Sequence, residues 1–138
     1  NNGVVFGAAF SDDFKSVLHM KIDAINCLGK LMTSKYIQSE IGNTYKECKE
    51  ELDYGKKVLF TGTPCQIEGL LKFLHKSYDN LFTQDIICHG VPSPKVWRTY
   101  LESLMKKEIR SINFRDKTNG WENFNIKIDD YITSHNID

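Results

Sequence analysis

Short apolar runs and one helical stripe set the organisation of this chain. Val58, Leu59 and Phe60 form a run bounded by lysines and a Gly-Thr-Pro turn, and Leu81 to Cys88 repeats the pattern, so each predicts a buried strand. Between them Ile67, Leu70, Leu71 and Leu74 recur at i, i+3, i+4 and i+7, one buried helical face. The unit is strand, helix, strand. A crossover of this kind joins parallel strands and is right-handed in about 98% of cases, which places both carboxyl ends on one edge of the sheet. Cys65 follows the end of the first strand and Cys88 closes the second. If the strands are neighbours they lie ~4.8 Å apart, and with one strand between them roughly twice that, so both thiols can face one crevice at that edge.

The flanking segments follow the same logic. Val4 to Phe10 and Lys15 to Ile22 predict two strands joined by a turn at Ser11-Asp12-Asp13-Phe14. In the second, Leu18, Met20 and Ile22 alternate with Val17, His19 and Lys21, which predicts one wet face with His19 pointing outward. Ile25, Leu28, Leu31 and Met32 have helical spacing, weakened by Gly29, and a polar loop from Ser34 to Ser39 follows. Thr44 with Glu47 reads as a capping box opening a helix that Gly55 ends, with Tyr45, Cys48 and Leu52 on its apolar face. Cys48 is expected to be a core thiol, and Cys27 the same. Ser93 and Pro94 start a further helix expected to bury Val96, Trp97, Tyr100, Leu101, Leu104 and Met105. Ile109 to Arg115 and Trp121 to Ile128 predict two more strands, with Asn119-Gly120 as a hairpin turn between them. The fold class is α/β: a mixed sheet with a parallel βαβ core (strands near 57–61, 81–88 and 109–115) and antiparallel hairpins at both ends.

Composition narrows the function classes. The 138 residues, 41% of them hydrophobic, suit a single domain over 1–138 with a true core. Eighteen basic and eighteen acidic residues cancel, which gives no broad field for nucleic acid or an anionic membrane. No apolar run reaches the ~20 residues of a membrane span and no charged-then-apolar leader opens the chain, so a soluble cytoplasmic protein is expected. The four cysteines lack short-domain disulfide spacing and fit a reducing compartment. The chain opens without an initiator Met and closes without a terminating element, so it reads as a segment of a longer protein.

The chemistry is expected where Cys65 and Cys88 meet. Thr61-Gly62-Thr63-Pro64 is a tight turn leading into a helix that begins near Cys65 or Gln66, whose outward amides suit a phosphate or a thiolate. The turn lacks the G-x-x-x-x-G-K-S/T pattern, which disfavours a nucleoside triphosphate. Three readings of the paired thiols stay open: inert buried cysteines, a nucleophilic or redox thiol with His89 nearby as base, or two ligands of an iron-sulfur cluster.

FTGTPCQIEGLLKFL, DIICHGVPSPKVWRTYL and INFRDKTNGW resemble the coenzyme F-420 (F420) hydrogenase/dehydrogenase beta-subunit family, which includes deazaflavin-reducing hydrogenase subunits and formate dehydrogenase beta subunits; SKYIQSEIGNTYKE and GVVFGAAF also match. The resemblance implies an iron-sulfur flavoprotein oxidoreductase, in which electrons pass between a 4Fe-4S cluster, FAD and a small two-electron acceptor such as F420. It implies that Cys65 and Cys88 are cluster ligands. It also implies that the Ser34–Ser39 loop, with Lys35, Tyr36, Gln38 and Ser39, and the turn with Thr61, Gly62, Thr63, Pro64 and Gln66 form the flavin pocket. Lys35 is the candidate partner for the cofactor's negative charge. Arg115, Asp116 and Lys117 fall in a shared motif without an assigned role. The family's ferredoxin-like cysteine cluster and its later C-x-x-C lie outside these residues, so the segment offers two of the four thiolates, the remaining ligands stay open, and the isolated segment need not hold cluster or flavin; a redox partner subunit or ferredoxin-like domain is the expected partner. The alternatives are a non-catalytic cofactor-binding or partner-docking module and a thiol-based redox enzyme using Cys65.

Overall fold

In a computed structural model, which describes residues 3–104 and 108–134, the strands sort into two sheets. The larger contains β1 (Gly3–Phe10), β2 (Val17–Ile22), β3 (Lys57–Gly62) and β4 (Leu81–Asp85) in the order β2-β1-β3-β4. The smaller contains β5 (Ile112–Asp116), β6 (Asn125–Ile128) and β7 (Tyr131–Ser134). Three helices, α1 (Thr44–Asp53), α2 (Pro64–Leu74) and α3 (Pro94–Ser103), and a 3-10 helix over Ile25–Leu31 complete the set.

The parallel core is β1-β3-β4, because β1 pairs parallel to β3 with Val4 opposite Val58 and Phe6 opposite Phe60. Those four side chains alternate onto one face and are buried there against Ile67, Leu70 and Leu74 of α2 and Cys48 and Leu52 of α1. The periodicities of strand and helix therefore meet in one apolar layer. A polar clamp ties its edge. Glu51 of α1 takes Lys21 of β2 at 2.8 Å and Lys56 at 2.7 Å, which holds its carboxyl below the usual range.

A second cluster joins the two sheets. Val17, Ile37, Trp97, Leu101, Ile109, Phe114 and Ile128 pack together, and the Trp97 indole donates to the Phe14 carbonyl at 3.0 Å. The apolar face of α3 is thus spent on the β1-β2 hairpin and on Phe114. For that reason the strand expected near 109–115 does not extend the parallel core: it forms β5 and pairs antiparallel with β6, leaving β4 at the edge.

Several local expectations shift. The strand expected to be buried over 81–88 ends at Asp85 and, as an edge strand, is exposed from Phe82 onward, as are Ile86 and Ile87 beyond it. Asn43, not Thr44, caps α1, while the Thr44 hydroxyl donates to the Ile41 carbonyl at 2.6 Å; Gly55, at φ +77°, follows the helix as expected. Gly120 takes φ +99° in a turn closed onto Lys117, but the strand expected from Trp121 begins only at Asn125, so residues 117–124 connect β5 to β6 in place of a two-residue hairpin turn. Cys48 is fully buried, and burial pushes its thiol up to about 12; Cys27 is only half-buried on the 3-10 helix. Val96 is exposed, and Met105 lies outside the described residues. Among the described residues no helix is long and apolar enough to cross a membrane.

Candidate functional site

The pairing of β3 with β4 sets Gly62 opposite Asp85, and the Ile86 amide still donates to the Gly62 carbonyl at 3.1 Å. Cys65 lies three residues beyond the first strand end and Cys88 three beyond the second. Both thiols are exposed, and both line one cavity of about 540 Å³ at this edge. Its walls are the segment 33–39, the turn between β3 and α2, and the segment 86–91.

Lys35, Tyr36, Gln38, Ser39, Thr61, Gly62, Thr63, Cys65, Gln66 and Cys88 all line this space. Pro64 does not, because it occupies the first turn of α2, where its fixed φ suits the helix and its missing N–H is not needed. The helix starts there, one residue earlier than expected. Thr63 caps it, with the Gln66 side chain reaching back to accept from the Thr63 amide at 3.0 Å. The signal was present in the sequence as Thr followed three positions later by Gln. The Thr63 hydroxyl also lies 3.0 Å from the Cys65 sulfur, so the capping residue touches the thiol two positions on.

His19 is the residue whose placement differs most from expectation. It is buried rather than outward, with Nε2 2.8 Å from the Thr61 carbonyl, Nδ1 2.9 Å from the Ser39 hydroxyl, and its ring stacked on Phe60 at 5.1 Å. Alternation along β2 has two polar members on one side, His19 and Lys21, and that side reads as the wet one. In the fold it faces α1 and the segment after the polar loop, which joins β2 through the His19 amide to the Glu40 carbonyl at 2.8 Å. Burial lowers the affinity of His19 for a proton, against a smaller opposite effect of the Thr61 carbonyl.

Lys35 supplies a cation at the wall. Its Nζ donates to the Met32 carbonyl at 2.6 Å and the Thr33 carbonyl at 3.2 Å, and burial brings its pKa down to about 8. The ammonium therefore still predominates at neutral pH. Thr33 sits at φ +71°, a strained setting for a β-branched residue. Gly7 fits the opposite requirement: a Cβ there would meet the Thr61 hydroxyl at 2.8 Å, so glycine lets β1 approach beneath the turn.

The donor set fits two cofactor types in part. Two exposed thiols in one cavity suit a soft thiophilic centre, and they make half of a four-thiolate set. Among the described residues no group of three or more His, Cys, Asp or Glu converges to hold a metal ion. The volume falls in the range of small-molecule sites, and the Lys35 ammonium suits an anionic, phosphate-bearing ligand.

A sequence model describing the C-terminal part of the beta subunit of coenzyme F420 hydrogenase/dehydrogenase matches residues 55–138. The chain belongs to this family. The F420 hydrogenase/dehydrogenase match spans β3 to β7 and contains both Cys65 and Cys88, while β1, β2 and the Ser34–Ser39 loop lie before it. No curated protein matches the chain. In the shared motif after Phe114, the Arg115 guanidinium lies over the Phe124 ring at 4.7 Å and the Lys117 ammonium over Trp121 at 3.0 Å.

Proposed function

We propose that the protein is an iron-sulfur flavoprotein subunit of the F420 hydrogenase/dehydrogenase type, with Cys65 and Cys88 giving two thiolates to a 4Fe-4S cluster and FAD held in the same cavity. The observation that carries the reading is the shared cavity: two thiols from separate strand ends open into one space with a cationic lysine. In such a site the cluster supplies one-electron chemistry and the flavin one- or two-electron chemistry. The chain's own residues do the holding. Cys65 is fixed by the Thr63 contact and the first turn of α2, Cys88 accepts from the Gly90 amide at 3.4 Å, and Lys35 offsets phosphate charge. The other two thiolates come from a redox partner subunit or a ferredoxin-like domain, and the two-electron acceptor is of the F420 class, a reading supported by the coenzyme in the family's description.

Purification, without oxygen, of the full-length protein together with its redox partner tests this. Expected is a bound yellow flavin that bleaches on reduction, with iron and acid-labile sulfide. Colourless, iron-free protein would instead support a partner-docking module, a reading favoured by the exposed Phe82, Ile86 and Ile87 beside the site. Activity that survives removal of iron but is lost on replacing Cys65 would point to thiol catalysis.

A further inference from the structure

We propose that His19 is the positioning residue of the Cys65 turn: a directed chain of hydrogen bonds runs from its imidazole through Ser39 and Gln66 to the Thr63 amide, and protonation of His19 reverses the first link. This goes beyond the cofactor reading, since it concerns how the cavity wall is held.

Each direction follows from what the atoms can do. The Thr61 carbonyl only accepts, so His19 Nε2 carries the hydrogen, at 2.8 Å. Nδ1 of the neutral ring is then an acceptor and takes the Ser39 hydroxyl hydrogen at 2.9 Å. Ser39 Oγ accepts in turn from Gln66 Nε2 at 2.9 Å, and the Ser39 carbonyl from the same amide at 3.3 Å. Gln66 Oε1 accepts from the Thr63 amide at 3.0 Å, which fixes the side-chain orientation because flipping it would oppose two donors. The chain thus leaves the turn at Thr61 and returns to it at Thr63. It binds β2, the Ser34–Ser39 wall and the start of α2 into one unit just before Cys65. Gly62 lies inside this ring, where a Cβ would stand 3.0 Å from Gln66 Oε1 and 3.6 Å from His19 Nε2.

A proton on Nδ1 turns that atom into a donor. Ser39 Oγ then faces two donors, and its own hydrogen must swing away, toward the cavity that Ser39 lines. Without an acceptor there, the charged ring is disfavoured, in the same direction as its burial. An occupant presenting a carbonyl or phosphate oxygen would reward the swing. By reciprocity it would bind more tightly when His19 is protonated, and its affinity would fall as pH rises through the liganded midpoint. Other titratable groups surround the site, so the midpoint is assigned to His19 through its own ring signals. Lys35, Tyr36, Cys65, Cys88 and His89 share the cavity. From its own strand Lys21 is paired with Glu51 of α1, which also presents Tyr45, whereas β1 and β3 present Ala8 and Phe60.

The test is a pH titration by nitrogen-15 NMR of the flavin-free and iron-free chain, with His19→Gln assigning the ring signals. Expected are the Nε2–H tautomer, a midpoint below the ordinary histidine value, and Thr63 and Cys65 amide signals that move with the same midpoint. In Ser39→Ala the ring still titrates but the two amides cease to follow. A histidine that merely fills space gives a titrating ring with still amides in both proteins, and that result, or an Nδ1–H ring, overturns the proposal. Added FAD raises the wild-type midpoint and leaves that of Ser39→Ala in place. Binding of FAD, seen by fluorescence quenching, with no change in midpoint would overturn the linkage. If FAD does not bind at all, the flavin reading fails and the ligand-free amide titration still decides the role of His19.

Discussion

Phe60→Ala is expected to cost about 3–5 kcal/mol of stability, a large share of the roughly 5–15 kcal/mol that holds a domain together. The side chain is fully buried at the centre of the parallel core. It stacks on Phe6 at 5.7 Å and on His19 at 5.1 Å, and it lies against Tyr45 at 5.8 Å. Truncation leaves a ring-sized void between two sheet strands and two helices, none of which can close it without breaking strand pairing. Urea unfolding monitored by circular dichroism measures the loss, with Phe60→Leu as the milder companion. A cost below about 1 kcal/mol would show that these rings do not pack as described. Because Thr61 follows directly in the chain, the same change is expected to loosen the turn that carries Cys65.

Cys65→Ser and Cys88→Ser are each expected to reduce bound iron to background in the full-length protein purified without oxygen together with its redox partner. A hydroxyl is a poor substitute for a soft thiolate, and a cluster held by two groups from this cavity cannot keep its place on one. Cys27→Ser is the control, since Cys27 lies on the 3-10 helix away from the cavity lining. Iron measured after gel filtration should therefore remain in the Cys27 variant and vanish from the other two. Full iron in either Cys65→Ser or Cys88→Ser would remove that residue from the ligand set.

Much of this site was legible because strand ends leave strong local marks. The apolar run into Thr-Gly-Thr-Pro and the stripe Ile67, Leu70 and Leu74 are enough to locate Cys65 at a sheet edge. Cys88 follows from the second run even though β4 stops at Asp85, because the chain continues from the strand tip toward the same cavity. His19 was not legible. Alternation reports two faces but not which one is covered, and the segment that buries this side of β2 is the irregular chain around Ser39 and Glu40, which has no periodicity to read. The strand near 109–115 is evident in the sequence but belongs to the other sheet for a related reason: its partner depends on where α3 packs, and Trp97 reaches the β1-β2 hairpin through a long-range contact.

Whether the two sheet-edge thiols share one metal centre is read by alkylating them before and after anaerobic loading of the full-length protein and its redox partner with iron and sulfide, peptide by peptide by mass spectrometry. Cys65 and Cys88 are expected both to react in the metal-free protein, to become protected together on loading, and to be released together by a chelator, with buried Cys48 unreactive throughout. Protection of one with an unchanged rate at the other would show that the two sulfurs do not share a ligand, and would contradict a shared metal centre.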